Sequence, residues 1–539
     1  MAIVYQTDKR SGLTYAYESI SHWDKEKKQS RCKRTLIGRV DKVTGEIVPT
    51  DGRGRRYKTA ASSSIQPVAV PGPVPVLQTA RLFYGATFLF DRVAEKLGIV
   101  TDLKSCFPSS WRQLLSIAYY LILESDNPLS RFGKWSRLHH HPFGRDIPSQ
   151  RSSELFMSIT DAAKMRFFRL QGKRRSDNEY WAYDSTTISS NSECLKQVRW
   201  GKNKDYDPLP QISLALLFGE KSNLPFYYRK LAGNIPDVKT VKELVKELDI
   251  LGYDKVKLVM DRGFYSAENI NGLYKEHYKF IVAAATSLSY AKEAIRSHGA
   301  AIKNWNNYND KYELYLHSET IAWDYEVERP YKKDVISGEK RMYLHLYFNP
   351  ERAVEDEKNF NRFMSRLKEE LITKKHIPEH EKSYKKYFTI KETPVRGITV
   401  EPIQKAMDEA KERYGYFILL SNEVKDPVTA LELYRNRDVV EKAFGNIKER
   451  LNCRRLLVSS DQSLEGKLFV EFLALIFLSY IKKQMQDKGL FKTYTLQGLL
   501  DELDVIECFE EPGRSPVIGE VLSKQKQIFD DMGVEAPGS

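Results

Sequence analysis

Cysteine is scarce in this chain. Its 539 residues hold five, Cys32, Cys106, Cys194, Cys453 and Cys508, and no two stand as C-x-x-C. That scatter excludes a disulfide framework and a cysteine-based zinc module, and it suits a reducing, cytoplasmic setting. Long apolar runs are also missing. The longest, "LFVEFLALIFLSYI" at 468–481, has 14 residues and contains Glu471. It is too short to span a bilayer, for which about 20 residues are needed, and it reads as a buried helix. The opening "MAIVYQTDKRSG" lacks the apolar core of a signal peptide. A membrane partner is therefore not expected. Histidine clusters once, as "HHHP" at 139–142. Consecutive side chains point in different directions, so this is a poor metal cage.

Positive charge is in excess. Lys plus Arg number 85 against 72 Asp plus Glu, a net +13 with a pI near 9.1, which suits a polyanionic partner. The excess is uneven. Residues 21–58 carry 12 basic against 5 acidic side chains, whereas residues 501–539 carry 3 against 10. Nucleic-acid contact is expected toward the N-terminus rather than along the acidic tail.

The pattern along the chain implies a multidomain α+β protein. Residues 1–58 alternate in strand fashion around turn signals and form a small basic β module. A Pro/Ser-rich linker follows at 59–79, where "SSSIQPVAVPGPVPV" favours a stiff extended chain. Residues 80–176 are helical in period, close on the basic "QGKRRS", and read as a helical DNA-binding region. From 177 to 285 the order is β-β-β-α-β-α-β: "YWAYD", the pair "QISLALLF" and "LPFYYRKLAG", then two helix–strand units ending in "KFIVAAA". Three antiparallel strands followed by crossover units resemble an RNase H-like α/β core. Residues 286–415, with strand-like pieces and two charged helices, read as an inserted mixed α/β domain. The core resumes at 416–490, and an acidic helical tail occupies 491–539.

Two carboxylates end strands of that core: Asp184 in "YDSTT" and Asp261 in "MDRGFYS". The topology makes those strands neighbours, so both acids fall at the sheet end where α/β ligand sites form. Like charges so placed favour a cation between them. Carboxylate oxygens without nearby thiols or imidazoles suit magnesium or manganese. A third acid comes from "YRNRDVVEKAFGNIK" at 434–448. On a regular α-helix, at roughly 100° per residue, Tyr434, Arg437, Glu441 and Lys448 share an arc of about 60° beside an apolar stripe. Such a stripe is either a solvated edge with an Arg437–Glu441 pair or the wall of a cleft. With Glu441 converging on the two aspartates, a two-metal site would activate water or a 3′-hydroxyl for in-line attack on a phosphodiester.

"DSTT", "DRGFYS" and the Y-x2-R-x3-E-x6-K spacing resemble bacterial insertion-sequence transposases of the DDE type. The likeness is to the subgroup carrying a Tyr-Arg-Glu-Lys element and an insertion before the last catalytic residue. It implies Asp184, Asp261 and Glu441 as catalytic ligands of two Mg2+ or Mn2+ ions, and Tyr434, Arg437 and Lys448 as contacts to transposon-end phosphates. It also implies cleavage at element ends, transfer of the 3′-hydroxyls into target DNA, and a homodimer in the synaptic complex. Arg262 and Lys230, from their expected nearness to the site, are either further DNA contacts or members of structural ion pairs, and Trp305 and Trp323 are either buried or half-buried aromatics, the default, or could stack on an extruded base. A metal-dependent nuclease or resolvase on the same fold, or an inactive transposase-derived DNA-binding protein, remain the alternatives.

Overall fold

The structure is a computed structural model. It describes residues 2–8, 12–24, 29–41, 45–48, 79–125, 127–174, 179–253, 255–328, 334–393, 397–451, 456, 458 and 460–538. The linker expected at 59–79 lies outside the described residues except for its last position, as do 49–58 of the basic module and 175–178 of the basic stretch that follows the helices.

The chain divides into two compact units, one of residues 1–75 with 512–514 and one of residues 76–511 with 515–539. The first holds an antiparallel meander of β1 (Ala2–Thr7), β2 (Thr14–Asp24), β3 (Gln29–Val40) and β4 (Ile47–Val48). A bulge opposite Ala16 and Tyr17 shifts the β2–β3 register. Ala16 is the one fully buried apolar side chain described there, while Ile3, Tyr5 and Ile20 are exposed.

The second unit opens with β5 (Ala80–Phe83) and the helices α1 (Gly85–Lys96), α2 (Ile99–Cys106), α3 (Trp111–Leu123), α4 (Phe132–Ser136), α5 (Ser149–Ser158) and α6 (Asp161–Lys173). The core sequence follows as β6 (Trp181–Ser189), β7 (Gln211–Gly219), β8 (Pro225–Ala232), α7 (Asp237–Leu251), β9 (Lys257–Met260), α8 (Ala267–Lys275), β10 (Lys279–Ala284) and α9 (Ser289–His298). Beyond it come β11 (Tyr308–Asn309), β12 (Leu314–Glu328), β13 (Val335–Phe348), α10 (Pro350–Ile372), α11 (Glu381–Tyr387), β14 (Phe388–Thr393), β15 (Gly397–Pro402), α12 (Gln404–Lys411) and β16 (Tyr416–Ser421). The chain finishes with α13 (Pro427–Asn436), α14 (Asp438–Gly445), α15 (Asp461–Asp487), α16 (Leu496–Asp504), β17 (Glu507–Glu510), β18 (Val517–Ile518) and α17 (Ser523–Asp531).

One mixed sheet organises this unit, in the order β11-β12-β13-β16-β10-β9-β6-β7-β8. β6, β7 and β8 are antiparallel neighbours, and β9 and β10 join parallel to β6. The connections explain the difference: "GEKSN" is short enough for a hairpin, whereas α7 and α8 are the crossovers that parallel pairing requires.

The stretch 286–415 is not one inserted domain, contrary to the sequence expectation. β12 and β13 pair along their lengths, and β13 then pairs with β16, so this half of the segment widens the core sheet. Only α10 to α12 with the β14–β15 hairpin form a separate small core. There Met364, Leu367 and Leu371, spaced as one helix face, pack with Tyr384, Tyr387 and Phe388. The C-terminal tail also departs from an all-helical reading. β17 pairs with β18 and with β5, which ties the tail to the start of the helical region.

α15 carries the long apolar run and is buried on all sides from Leu468 to Leu478, as expected of a helix that is apolar all round. Its one charge within the run, Glu471, lies 3.6 Å from Lys467. Among the described residues no helix is long and apolar enough to cross a membrane. Lys230, expected on DNA, is instead part of this interior. Its side chain on β8 is 5% exposed and its ammonium lies 2.9 Å from Glu465 of α15. Glu465 also binds Lys164 of α6 at 2.6 Å, so one carboxylate joins sheet, helix bundle and α15.

Removing one partner of a buried pair costs more than removing both. Glu465→Ala should lower stability to guanidinium by about 3 kcal/mol, and adding Lys230→Met should recover most of the loss. Equal midpoints for parent and single variant would show that the pair carries no load.

Candidate active site

β6 and β9 run parallel with Trp181 beside Leu258, Ala182 beside Val259 and Tyr183 beside Met260. The next residues in that register are Asp184 and Asp261. Neighbouring strands lie about 4.8 Å apart, so the two carboxylates leave adjacent backbones at the same level. β9 does end there, with Asp261 preceding a 3-10 turn at Arg262–Phe264. β6 does not. It continues to Ser189 because β7 pairs with it throughout, from Asp184 opposite Leu216 to Ser189 opposite Gln211. Asp184 thus sits mid-strand, not at a strand end as the sequence suggested, and only its β9 side is open.

The third carboxylate comes from α14. Val440, Ala443 and Phe444 bury one face of that helix, and Glu441 is left on its rim with 59% of its side chain exposed. The single regular helix expected at 434–448 is broken twice. α13 ends at Asn436, Arg437 forms the joint to α14, and residues Asn446–Arg450 wind as a π-helix. Asp426 caps α13 through Thr429, and its Pro427 occupies the first turn. At the π turn Asn446 is buried and accepts a bond from Lys482 of α15. This packing contact was not visible in the spacing of polar residues.

Despite the breaks, the four polar residues meet the same cleft. The Tyr434 hydroxyl donates to Asp261 Oδ1 at 2.8 Å. Arg437 lies between two acids, Nη1 donating to Asp184 Oδ2 and Nη2 to Glu441 Oε1, each at 3.1 Å. Its Nε is buried without a hydrogen-bond partner. Lys448 lies 2.5 Å from Asp205. Tyr434, Arg437 and Lys448 are therefore engaged with carboxylates, and the Arg437–Glu441 pair that the solvated-edge reading contained is present.

Electrostatics separate the two aspartates. Burial pushes the Asp184 carboxyl up to about 6, although Lys204, Arg437 and the Ser185 amide oppose the rise. Burial also works on Asp261, but the Tyr434 hydroxyl, the Arg262 amide and the Arg437 and Arg262 guanidinium groups bring it below the ordinary value. Sequence reasoning missed Lys204 and Asp237. Lys204 Nζ lies 2.9 Å from Asp237 and 3.8 Å from Asp184, and it donates to the Ser185 carbonyl at 2.8 Å. The signal was the charged "KNKDYD" in the β6–β7 connection, an unusual load for a hairpin.

Carboxylates dominate the cleft, with Asp205, Asp207, Asp237 and Glu449 beside the first three, and neither thiol nor imidazole among its lining side chains. This donor set fits a hard divalent cation. The three principal acids do not close to a cage, since no trio of their oxygens falls within 4.8 Å among the described residues. Arg437 holds two of them from between.

The remaining candidates separate clearly. Arg262 is exposed on the cleft wall beside Asp261. Trp305 is 71% exposed and stacks on Tyr308. Trp323, by contrast, is a buried residue of β12 whose Nε1 donates to Asn271 at 2.8 Å, so it is not available to stack on a base. In the histidine cluster His139 binds Asp504 and stacks on Trp135, while His141 bonds to Ser116 and Ser136 and is pushed down to about 4 by burial. These are packing roles.

A carboxyl raised in the folded state above its unfolded value, about 3.9, weighs against the fold once ionised. That penalty is full above pH about 6 and vanishes as pH falls toward 4. Asp184→Asn should therefore raise stability in EDTA at pH 7.5 by about 1–3 kcal/mol and leave it unchanged near pH 4. Thermal melts across that range check the sign; a variant less stable at pH 7.5 would refute it.

The family model for the transposase DDE domain matches residues 176–477. A search of curated proteins finds no match. Among solved structures, the cryo-EM structure of a piggyBac transposase synaptic complex with hairpin DNA is similar at TM-score 0.34 and 12% identity, over 83% of this chain and 73% of that one. With more than half of its length matched, and with the acids of the cleft inside the matched region, the chain belongs to the DDE transposases, enzymes of the polynucleotidyl transferase type.

Proposed function

We propose that the cleft bounded by Asp184, Asp261 and Glu441 cuts transposon ends and joins their 3′-hydroxyls to target DNA, in the cut-and-paste manner of the Tyr-Arg-Glu-Lys subgroup. DDE transposases generally use divalent metal ions. The observation that carries this reading is the parallel register setting Asp184 beside Asp261, with Arg437 linking Asp184 to Glu441. The strand order β8-β7-β6-β9-β10 supports an RNase H-like core.

Two magnesium or manganese ions held by these acids would activate the attacking oxygen and stabilise the leaving one. The chain's own residues do the positioning. Tyr434 fixes the Asp261 carboxyl through its hydroxyl. Arg437 links Asp184 to Glu441, and once the acids take up their ligand its guanidinium would be freed for a phosphate oxygen. Lys448 and Arg262, which both line the cleft, neutralise flanking phosphates. Trp305 remains exposed enough to stack on a displaced base. Residues 1–58 supply a basic β module and 80–176 a helical region for gripping double-stranded inverted-repeat ends. Two ends held together imply a homodimer, acting in the bacterial cytoplasm on the nucleoid.

Glu441→Gln retains shape but removes a charge that a metal needs, so end binding should persist while cleavage falls by orders of magnitude. Mg2+ or Mn2+ should support the parent reaction, and Ca2+ should support binding with little cleavage. Normal cleavage by Glu441→Gln, or by the parent in excess EDTA, would overturn the assignment. Lys448→Ala should weaken end binding and reduce its salt slope by about one. Deleting residues 1–79 should flatten that slope further; an unchanged slope would place end recognition elsewhere.

A further inference from the structure

A second cluster of metal-ligating side chains lies outside the cleft. His317 and Glu319 are two apart on β12, so both project from one face of the strand. Ser318 between them is bonded elsewhere, to His345 and the Lys425 carbonyl. His298, the last residue of α9, meets the pair, with its Nε2 3.2 Å from Glu319 Oε2. The two imidazoles are stacked, their centroids 4.2 Å apart at 30°. One ligand atom from each residue falls within 4.8 Å of the other two. All three residues are half-buried.

Three features make this more than a packed pair of rings. First, His317 Nε2 is buried without a hydrogen-bond partner, a loss that costs about 1–3 kcal/mol if left unmade. Second, rings packed face to face do not readily carry two positive charges, and a neutral imidazole is the form that binds metal. Third, ligand atoms about 2.0–2.1 Å from a tetrahedral zinc stand about 3.3–3.4 Å apart, close to the 3.2 Å between His298 and Glu319. A ring nitrogen of His317 lies within 4.8 Å of the other two ligand atoms.

We propose that His298, His317 and Glu319 form a zinc-type transition-metal site, with water in the fourth position. Two imidazoles and one carboxylate suit zinc and disfavour magnesium, which prefers all-oxygen octahedral surroundings. The site is distinct from the cleft, whose lining residues include none of the three. Its place in the fold gives it a structural consequence. It fastens the end of α9, which follows core strand β10, to β12, the strand through which the sheet is widened. Zinc here should stabilise the whole unit without taking part in phosphoryl transfer.

The test uses the full chain without a polyhistidine tag, stripped with EDTA, dialysed free of chelator, and titrated calorimetrically with zinc chloride in millimolar magnesium to occupy the carboxylate cleft. The parent should bind a zinc equivalent and melt at a higher temperature with it. His317→Ala and His298→Ala should each lose that equivalent and the thermal shift. Glu319→Gln, the mildest change, should weaken binding while circular dichroism reports an unaltered fold. A chain with Asp184→Asn and Asp261→Asn should retain the equivalent, which separates this site from the cleft. Cobalt(II) should give visible d–d absorption in the parent that disappears in His317→Ala. A parent that binds no zinc, histidine variants that bind it as the parent does, or loss confined to the aspartate variant would each overturn the proposal.

Discussion

Two carboxylates set side by side on parallel strands are the constraint to which the rest of the site answers. The β6–β9 register places Asp184 and Asp261 at one level, where their mutual repulsion and burial both disfavour ionisation. The surrounding chemistry offsets this unequally. Asp261 receives a hydroxyl, an amide and nearby guanidinium groups and is held below its ordinary value. Asp184 is more deeply buried and stays raised, even with Lys204 and Arg437 at hand. The cleft thus holds two neighbouring carboxyls of unlike acidity, one raised by burial and one lowered by its partners.

Arg437 is the central organising group. It occupies the joint between α13 and α14, from which its guanidinium reaches Asp184 on the sheet and Glu441 on the helix. A guanidinium can do this because its donors fan out in a plane, whereas an ammonium at the same position would act as a single point charge. The interruption of the helix at this residue is therefore part of the site's construction. The π turn that follows places Lys448 against Asp205 and seats Asn446 on α15, which accords with the frequent occurrence of π-bulges at functional positions.

The widened sheet accounts for the long separation in sequence between Asp261 and Glu441. The chain leaves β10 and builds β12 and β13, and it returns through β16 into the gap between β13 and β10. Only then does it reach the helices that carry Tyr434 and Glu441. The late helix is consequently launched from the centre of the sheet, close to β9. The small α10–α12 unit has a hydrophobic cluster of its own.

Much of this was legible in the sequence. Short-range pattern marked β6 to β10 and their helices, because alternation, apolar runs and the Ser266 cap of α8 are local properties. Residue type and spacing singled out Asp184, Asp261, Glu441 and the polar residues around them, because an oxygen-ligand cation site needs carboxylates and few side chains can substitute. Tertiary structure decided what depends on partners distant in the chain. Lys230 proved to be a buried counter-ion for Glu465, and Trp323 a core residue bonded to Asn271. Lys204 and Asp237 entered the cleft from a hairpin connection and a helix start whose convergence no local pattern encodes. The same holds for Arg437, Tyr434 and Lys448. Helical periodicity and residue type placed these side chains on one arc, and they meet carboxylates of one cleft. Which charge each one meets was set by packing, because a side chain's nearest partner is fixed by how strands and helices are brought together, and a period within one segment carries no information about the next.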